Sequence, residues 1–105
     1  MASGEVPRVN IFDNTFENLH QAMSIATKRQ EILSHNIANI DTPGFEPLDF
    51  DEVLGKAVKR AQGGPVVLEE ELAALTENSV RYSAYVKLIS SKINVMRAVA
   101  TQGRR

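Results

Sequence analysis

Residues 14–41, NTFENLHQAMSIATKRQEILSHNIANID, decide the fold. Within them Phe16, Leu19, Met23, Ala26, Gln30, Leu33, Ile37 and Ile40 recur at alternating steps of three and four, and only Gln30 is polar. This is an a/d heptad pattern, the seam of a helix that lies lengthwise on another. Asn14 followed three residues on by Glu17 makes a capping box, so a helix is expected from Thr15. It is expected to stop near Asp41, because Pro43 drives Thr42 out of the helical region. Pro43 and Gly44 then suit the two central positions of a type II turn.

Further along the chain the pattern returns. Leu68, Leu72, Leu75, Ser79, Tyr82, Val86, Ile89, Ile93, Met96 and Ala100 alternate by four and three, with Ser79 alone polar. Gly64 and Pro65 fit a cap and first helical position, and Glu69, Glu70 and Glu71 place negative charge at the positive end of the helix dipole. Gly103, Arg104 and Arg105 suit the other end. At about 1.5 Å per residue the two helices are roughly 40 and 55 Å long. Between them Asp49 and Glu52 form a second capping box ahead of Phe50, Val53, Leu54, Ala57, Val58 and Ala61, which predicts a short linker helix. Gly55 weakens that helix by about 1 kcal/mol relative to alanine. Glu46, Asp49, Asp51 and Glu52 precede Lys56, Lys59 and Arg60, as on a solvated, dipole-matched helix surface.

The expected architecture is therefore all-α, with two long antiparallel helices forming a coiled-coil hairpin and a short linker helix. A flexible N-terminal segment covers 1–13, the first coiled-coil helix 14–41, the turn and linker helix 42–64, and the second coiled-coil helix 65–105. Packing residues of the seam are Phe16, Leu19, Met23, Leu33, Ile40, Leu72, Leu75, Tyr82, Val86, Ile89, Ile93 and Met96. If contacting residue numbers total about 109, Ile37 meets Leu72, Met23 meets Val86, Ala26 meets Tyr82, and the polar Gln30 meets the polar Ser79. Each helix also carries a second apolar stripe, Ala22, Ile25 and Ile32 on the first and Tyr85, Leu88, Val95 and Val99 on the second. A two-helix hairpin cannot cover both stripes. Ile25, Ile32, Tyr85, Leu88, Val95 and Val99 are accordingly expected to make lateral contacts with other subunits, because six residues of a linker helix cannot cover rods this long; the alternative is that the middle segment folds over part of this surface, as in an ordinary small helical bundle.

Composition narrows the functions. The 105 residues suffice for one domain, with 43% hydrophobic and 24% charged. Twelve Lys and Arg stand against thirteen Asp and Glu, so nothing draws the chain to nucleic acid. No cysteine is present, which excludes disulfides, thiolate metal sites and a cysteine nucleophile. No apolar run approaches the roughly 20 residues of a bilayer span, and Met1 to Asn10 lacks the features of a cleaved signal. His20 and His35 stand roughly 22 Å apart on one helix. Glu17 and His20 share a Glu-x-x-His spacing, but the second such motif and the inward glutamates of a carboxylate metal bundle are missing. No catalytic residues, no cofactor and no metal site are assigned.

The hinge is the most specific part of the chain: Ser34-His35-Asn36-Ile37-Ala38-Asn39-Ile40-Asp41-Thr42-Pro43-Gly44-Phe45. It closely resembles the signature of bacterial flagellar rod, hook and hook-associated axial proteins. Short length, the stretch Leu33 to Phe45, the piece Asp49 to Leu54, and Glu77 to Tyr82 look most like the proximal rod members. Typical members have a longer stretch between the helices, which Gly63, Gly64 and Pro65 bridge here. The resemblance implies a periplasmic rod subunit of the flagellar basal body, exported without a cleaved signal peptide. Its implied partners are copies of itself and other rod, adaptor and export-gate proteins. Asn36, Ile37, Ala38, Asn39, Asp41, Thr42, Pro43, Gly44 and Phe45 form the candidate assembly motif. Asn36 and Asn39 share a helix face and can serve freed backbone groups or a neighbouring subunit, Asp41 and Thr42 can bond the turn, and Phe45 can fill an apolar gap. The rival reading is a soluble coiled-coil binding module, such as an export chaperone or adaptor, that dimerises into a four-helix bundle.

Overall fold

A computed structural model describes residues 14–61 and 66–103. Four elements follow in order: α1 (Asn14–Ala38), β1 (Leu48–Asp51), β2 (Lys56–Lys59) and α2 (Leu68–Gln102). The radius of gyration is 20.1 Å. A compact chain of this length would have about 13 Å, so the molecule is a rod.

α1 takes in Asn14, the residue expected to cap it. The segment expected to be flexible, 1–13, lies outside the described residues. At its other end regular helix gives way after Ala38 to successive tight turns, closed by Ile40 N donating to Ile37 O (3.3 Å) and Thr42 N donating to Asn39 O (2.9 Å). The type II turn follows. Phe45 N donates to Thr42 O at 3.1 Å, and Gly44 adopts φ 75°, a conformation costly for any residue with a Cβ. α2 starts at Leu68 with Val67 extended before it and no side-chain cap. The cap expected at Gly64 and Pro65 lies outside the described residues, as do Arg104 and Arg105. Gly103 closes the helix by donating to Val99 O at 3.0 Å.

The expected linker helix is a β-hairpin. β1 and β2 pair antiparallel, with Leu48 opposite Lys59 and Asp51 opposite Lys56. Phe50 and Val58 do follow helical spacing, but local chemistry favours a turn. Asp51 accepts from Leu54 N through its carboxylate (3.0 Å) and from Gly55 N through its carbonyl (2.7 Å), and Gly55 sits at φ 67°. Such a residue ends a tight loop and cannot continue a helix. The charges expected on a solvated helix surface instead pair across the structure: Lys59 with Glu46 at 2.9 Å, Arg60 with Asp49 at 2.9 Å, and Arg29 with Glu52.

α1 and α2 pack antiparallel, but the seam on α2 is rotated from the expected one. Leu72, Tyr82, Val86 and Ile93 are 44%, 39%, 41% and 36% exposed. Glu71, Asn78 and Tyr85, each one residue earlier in the heptad, turn toward α1 beside Leu75, Ile89 and Met96. Polar anchoring selects this rotation. Asn78 is buried and its carboxamide donates to Ala26 O (2.8 Å) and to Gln30 Oε1 (3.1 Å). Gln30 thus has Asn78 as its bonded partner, and Ser79 lines the same groove. Ile32, expected on a lateral face, is buried where β1 crosses α1, and Ile25 and Tyr85 are half-buried. Ala26 and Ile32 are the buried apolar residues among those described. Asn78→Ala is expected to lower stability by about 1–2 kcal/mol by orphaning Gln30 and loosening the seam. A urea midpoint unchanged from the parent would contradict this.

Candidate functional site

The hinge signature gathers at the junction of α1, the hairpin and α2. Asn36 is wholly buried, on the last full turn of α1. Its carboxamide acts as an extra strand residue: Nδ2 donates to Leu48 O at 2.9 Å, and Oδ1 accepts from Leu48 N at 3.0 Å. The same Nδ2 lies 3.4 Å from Glu71 Oε2. One side chain thereby ties α1 to β1 and α2.

Asn39 works locally. Its Nδ2 donates to His35 O at 2.9 Å and lies 3.4 Å from His35 Nδ1, while its Oδ1 accepts from Thr42 Oγ1 at 3.3 Å. It thus adds a second bond to the His35 carbonyl, which also accepts from Asn39 N at 3.2 Å. Phe45 is half-buried and meets the His35 ring edge-on, with centroids 5.3 Å apart and planes at 62°. Ile37 and Ile40 are half-buried beside the junction, and Ala38, Asp41, Thr42, Pro43 and Gly44 are exposed.

A second part of the junction has no counterpart in the heptad reading. Glu71 is 5% exposed, a carboxylate in the interhelix seam. Its Oε1 accepts from Arg60 Nη2 at 2.9 Å, and Arg60 Nε donates to Asp49 Oδ1 at 2.9 Å. Arg60 N also donates to Pro47 O at 3.0 Å, fixing the exit of β2. Burial alone would lower the Arg60 pKa, but its hydrogen bonds to Asp49 and Glu71 and their charges raise it above the ordinary arginine value. The guanidinium is a permanent cation here. The sequence signal was faint: a glutamate one position before a seam leucine, and an arginine just after a strand.

The hairpin tip rests on α1. Lys28 Nζ donates to Gly55 O at 3.2 Å, and Arg29, paired with Glu52, places its guanidinium 5.4 Å from the Phe50 ring centroid. Val53 and Leu54 project from the tip, 95% and 59% exposed. A cleft of about 180 Å³ lies where the three meet, lined by Ile32 and Leu33 of α1, Leu48 and Phe50 of the hairpin, and Ala74 and Asn78 of α2. No three His, Asp or Glu side chains converge on a metal-sized site among the described residues. Glu17 and His20 lie on the exposed face of α1.

The remaining seam residues Phe16, Leu19, Met23, Leu33, Leu75, Ile89 and Met96 are half-buried. Leu88, Val95 and Val99 are exposed at 54%, 62% and 47%. No helix of the described residues is long and apolar enough to cross a membrane.

Residues 16–45, from the start of the α1 seam to the end of the turn, match the family model for flagella basal body rod proteins. The chain is similar to the flagellar basal body rod protein FlgB of Proteus mirabilis (strain HI4320), 30% identical over 87% of this chain and 96% of that protein. It is similar to FlgB of Bacillus subtilis (strain 168), 25% identical over 91% of this chain and 100% of that protein. With FlgB of Aeromonas hydrophila it shares 39% identity over 70% of this chain and 58% of that protein. The first of these alignments runs over 132 positions, more than the 105 residues of this chain, so that relative carries segments this chain lacks.

Proposed function

This chain belongs to the FlgB family of flagellar basal-body rod proteins, and on that premise we propose that it is a proximal rod subunit that bears torque through laterally packed helices. Its work is mechanical. The observation that supports this most directly is the uncovered line of Leu72, Val86 and Ile93 beside a seam that α1 already occupies. Fully burying a large apolar side chain contributes about 1.5–3 kcal/mol, and these three, each about two-fifths exposed, leave roughly that fraction for a neighbouring helix to gain at each position along one line. Heterologous contacts of this kind extend a helical array instead of closing a pair.

The hinge motif sets the geometry of each subunit. Asn36 and the turn at Pro43 and Gly44 hold the hairpin at a fixed angle to the helices, so that each copy offers its neighbours the same outline. The partners are other copies and other rod, adaptor and export-gate proteins. The site of action is the periplasmic part of the basal body, reached by export without a cleaved signal peptide.

Deleting the gene in a motile host is expected to abolish filaments and swimming, with both restored by a plasmid copy. Retained motility would overturn the rod reading. Sedimentation of the purified chain is expected to show open-ended, concentration-dependent growth. A closed dimer stable to dilution would favour a binding module.

A further inference from the structure

α2 divides its charges by halves. From Leu68 to Val80 its charged residues are Glu69, Glu70, Glu71 and Glu77; from Arg81 to Gln102 they are Arg81, Lys87, Lys92 and Arg97. The helix dipole favours this order but acts only within the first and last turns. Glu77 lies beyond the first two turns and Lys87 stands mid-helix, so the dipole does not account for the division. Glu71 is occupied inside the junction, and Arg81 pairs with Glu77 on its own helix at 2.7 Å. Glu69, Glu70, Glu77, Lys87 and Arg97 are exposed.

The same outward side of α2 is shaped for a helix. Thr76, Ser79, Val80, Ser83, Ala84 and Lys87 line a shallow groove of about 450 Å³. Leu72, Val86 and Ile93 form a ridge along its edge, and ridges set into grooves are how helices pack.

We propose that this face of α2 is occupied by α2 of a second copy, lying parallel and slid along by 17 to 20 residues, about 28 Å. Those are the separations of Glu70 from Lys87 and of Glu77 from Arg97. With no slide, glutamates would face glutamates and lysines would face arginines. With it, the acidic third of one helix lies beside the basic half of the next. A slide just past this range, three heptads, also brings Leu72 level with Ile93. The parallel sense rests on the rod reading, because an antiparallel pair would match the same charges but close into a two-fold dimer, whereas the slid contact leaves one free half at each end.

Because the chain has no cysteine, introduced thiols report the geometry directly. In the full chain, Ala73→Cys with Ser91→Cys is expected to oxidise into a ladder of dimers, trimers and higher species, and Ser83→Cys alone is not. A dominant Ser83→Cys dimer would show the antiparallel pair and overturn the proposal. Glu69→Lys, Glu70→Lys and Glu77→Lys together, or Lys87→Glu with Arg97→Glu, are expected to weaken self-association by about tenfold or more in sedimentation, equivalent to about 1.4 kcal/mol. Circular dichroism should show the helices intact. Raising salt from about 0.05 to about 0.5 M, which shortens electrostatic reach to a few Å, is expected to weaken the parent in the same way. Association indifferent to both salt and charge reversal, or no association by the parent, would overturn the proposal. The two readings fail separately: intact motility after gene deletion alongside a cross-linked ladder sinks the rod reading alone, and lost motility without the ladder sinks the slide alone.

Discussion

Asn36→Ala is expected to lower the unfolding free energy by about 3 kcal/mol and to release the hairpin from the helix pair. Asn36 is the most buried polar group described, and its carboxamide meets both the N–H and the C=O of Leu48. Alanine would leave those two backbone groups without partners, each costing about 1–3 kcal/mol while it stays buried. Water entering the gap would relieve part of that cost only by opening the junction. Asn36→Asp is the sharper control. It keeps the shape but turns the donor facing Leu48 O and Glu71 into a second carboxylate oxygen, so it should be no milder than alanine. Urea unfolding followed by circular dichroism measures the loss, and hydrogen exchange at Leu48 measures the release. A loss under about 0.5 kcal/mol, within the range of ordinary surface changes, would refute the assignment.

Arg60→Met is expected to cost about 2–3 kcal/mol, because it strands the Glu71 carboxylate inside the seam with only Asn36 beside it. Breaking a fully buried pair costs about 3–5 kcal/mol. The lower figure applies here because the Arg60 side chain is 26% exposed and water can follow the cut. Adding Glu71→Leu to Arg60→Met should recover most of the loss, since the only charge then left without its partner is Asp49, which is half-exposed and hydrated. A double variant as unstable as the single one would contradict this account. The pH dependence has a definite sign. A cation whose pKa is raised on folding contributes fully below its ordinary value, and that contribution is lost only as pH rises through the higher folded value. For Arg60 that window lies above the ordinary arginine range, so stability measured up to about pH 10 should show no step from this group.

The two helices were legible because heptad spacing over 25 and 35 residues leaves few alternatives. The turn at Pro43 and Gly44 was legible because only glycine takes φ 75° without strain. The hairpin is hidden in the sequence for a physical reason: Phe50, Val53, Leu54, Ala57, Val58 and Ala61 satisfy helical spacing over a stretch too short to exclude strands. Leu48 and Phe50 alternate as strand residues do, and Asp51 followed by Gly55 carries the loop, but what settles the matter is Asn36, twelve residues before Leu48. A contact at that distance has no local signature. The rotation of the α2 seam was hidden likewise. Apolar residues at 72, 86 and 93 outweigh Glu71 and Asn78 in any count of hydrophobicity. Those two polar residues win because α1 and Arg60 offer them fixed partners.

Full burial of apolar side chains is confined, among the described residues, to Ala26 and Ile32, and the rest of the seam is half-buried. A domain built around a large core resists a pull until that core ruptures at once. Here tension applied to one terminus would meet a succession of single helical turns and isolated polar clasps, each surrendered separately. On the export and assembly proposed above, such a fold would yield to a modest pull in a narrow conduit, and enclosure of its flanks by neighbours would supply the rigidity it lacks alone.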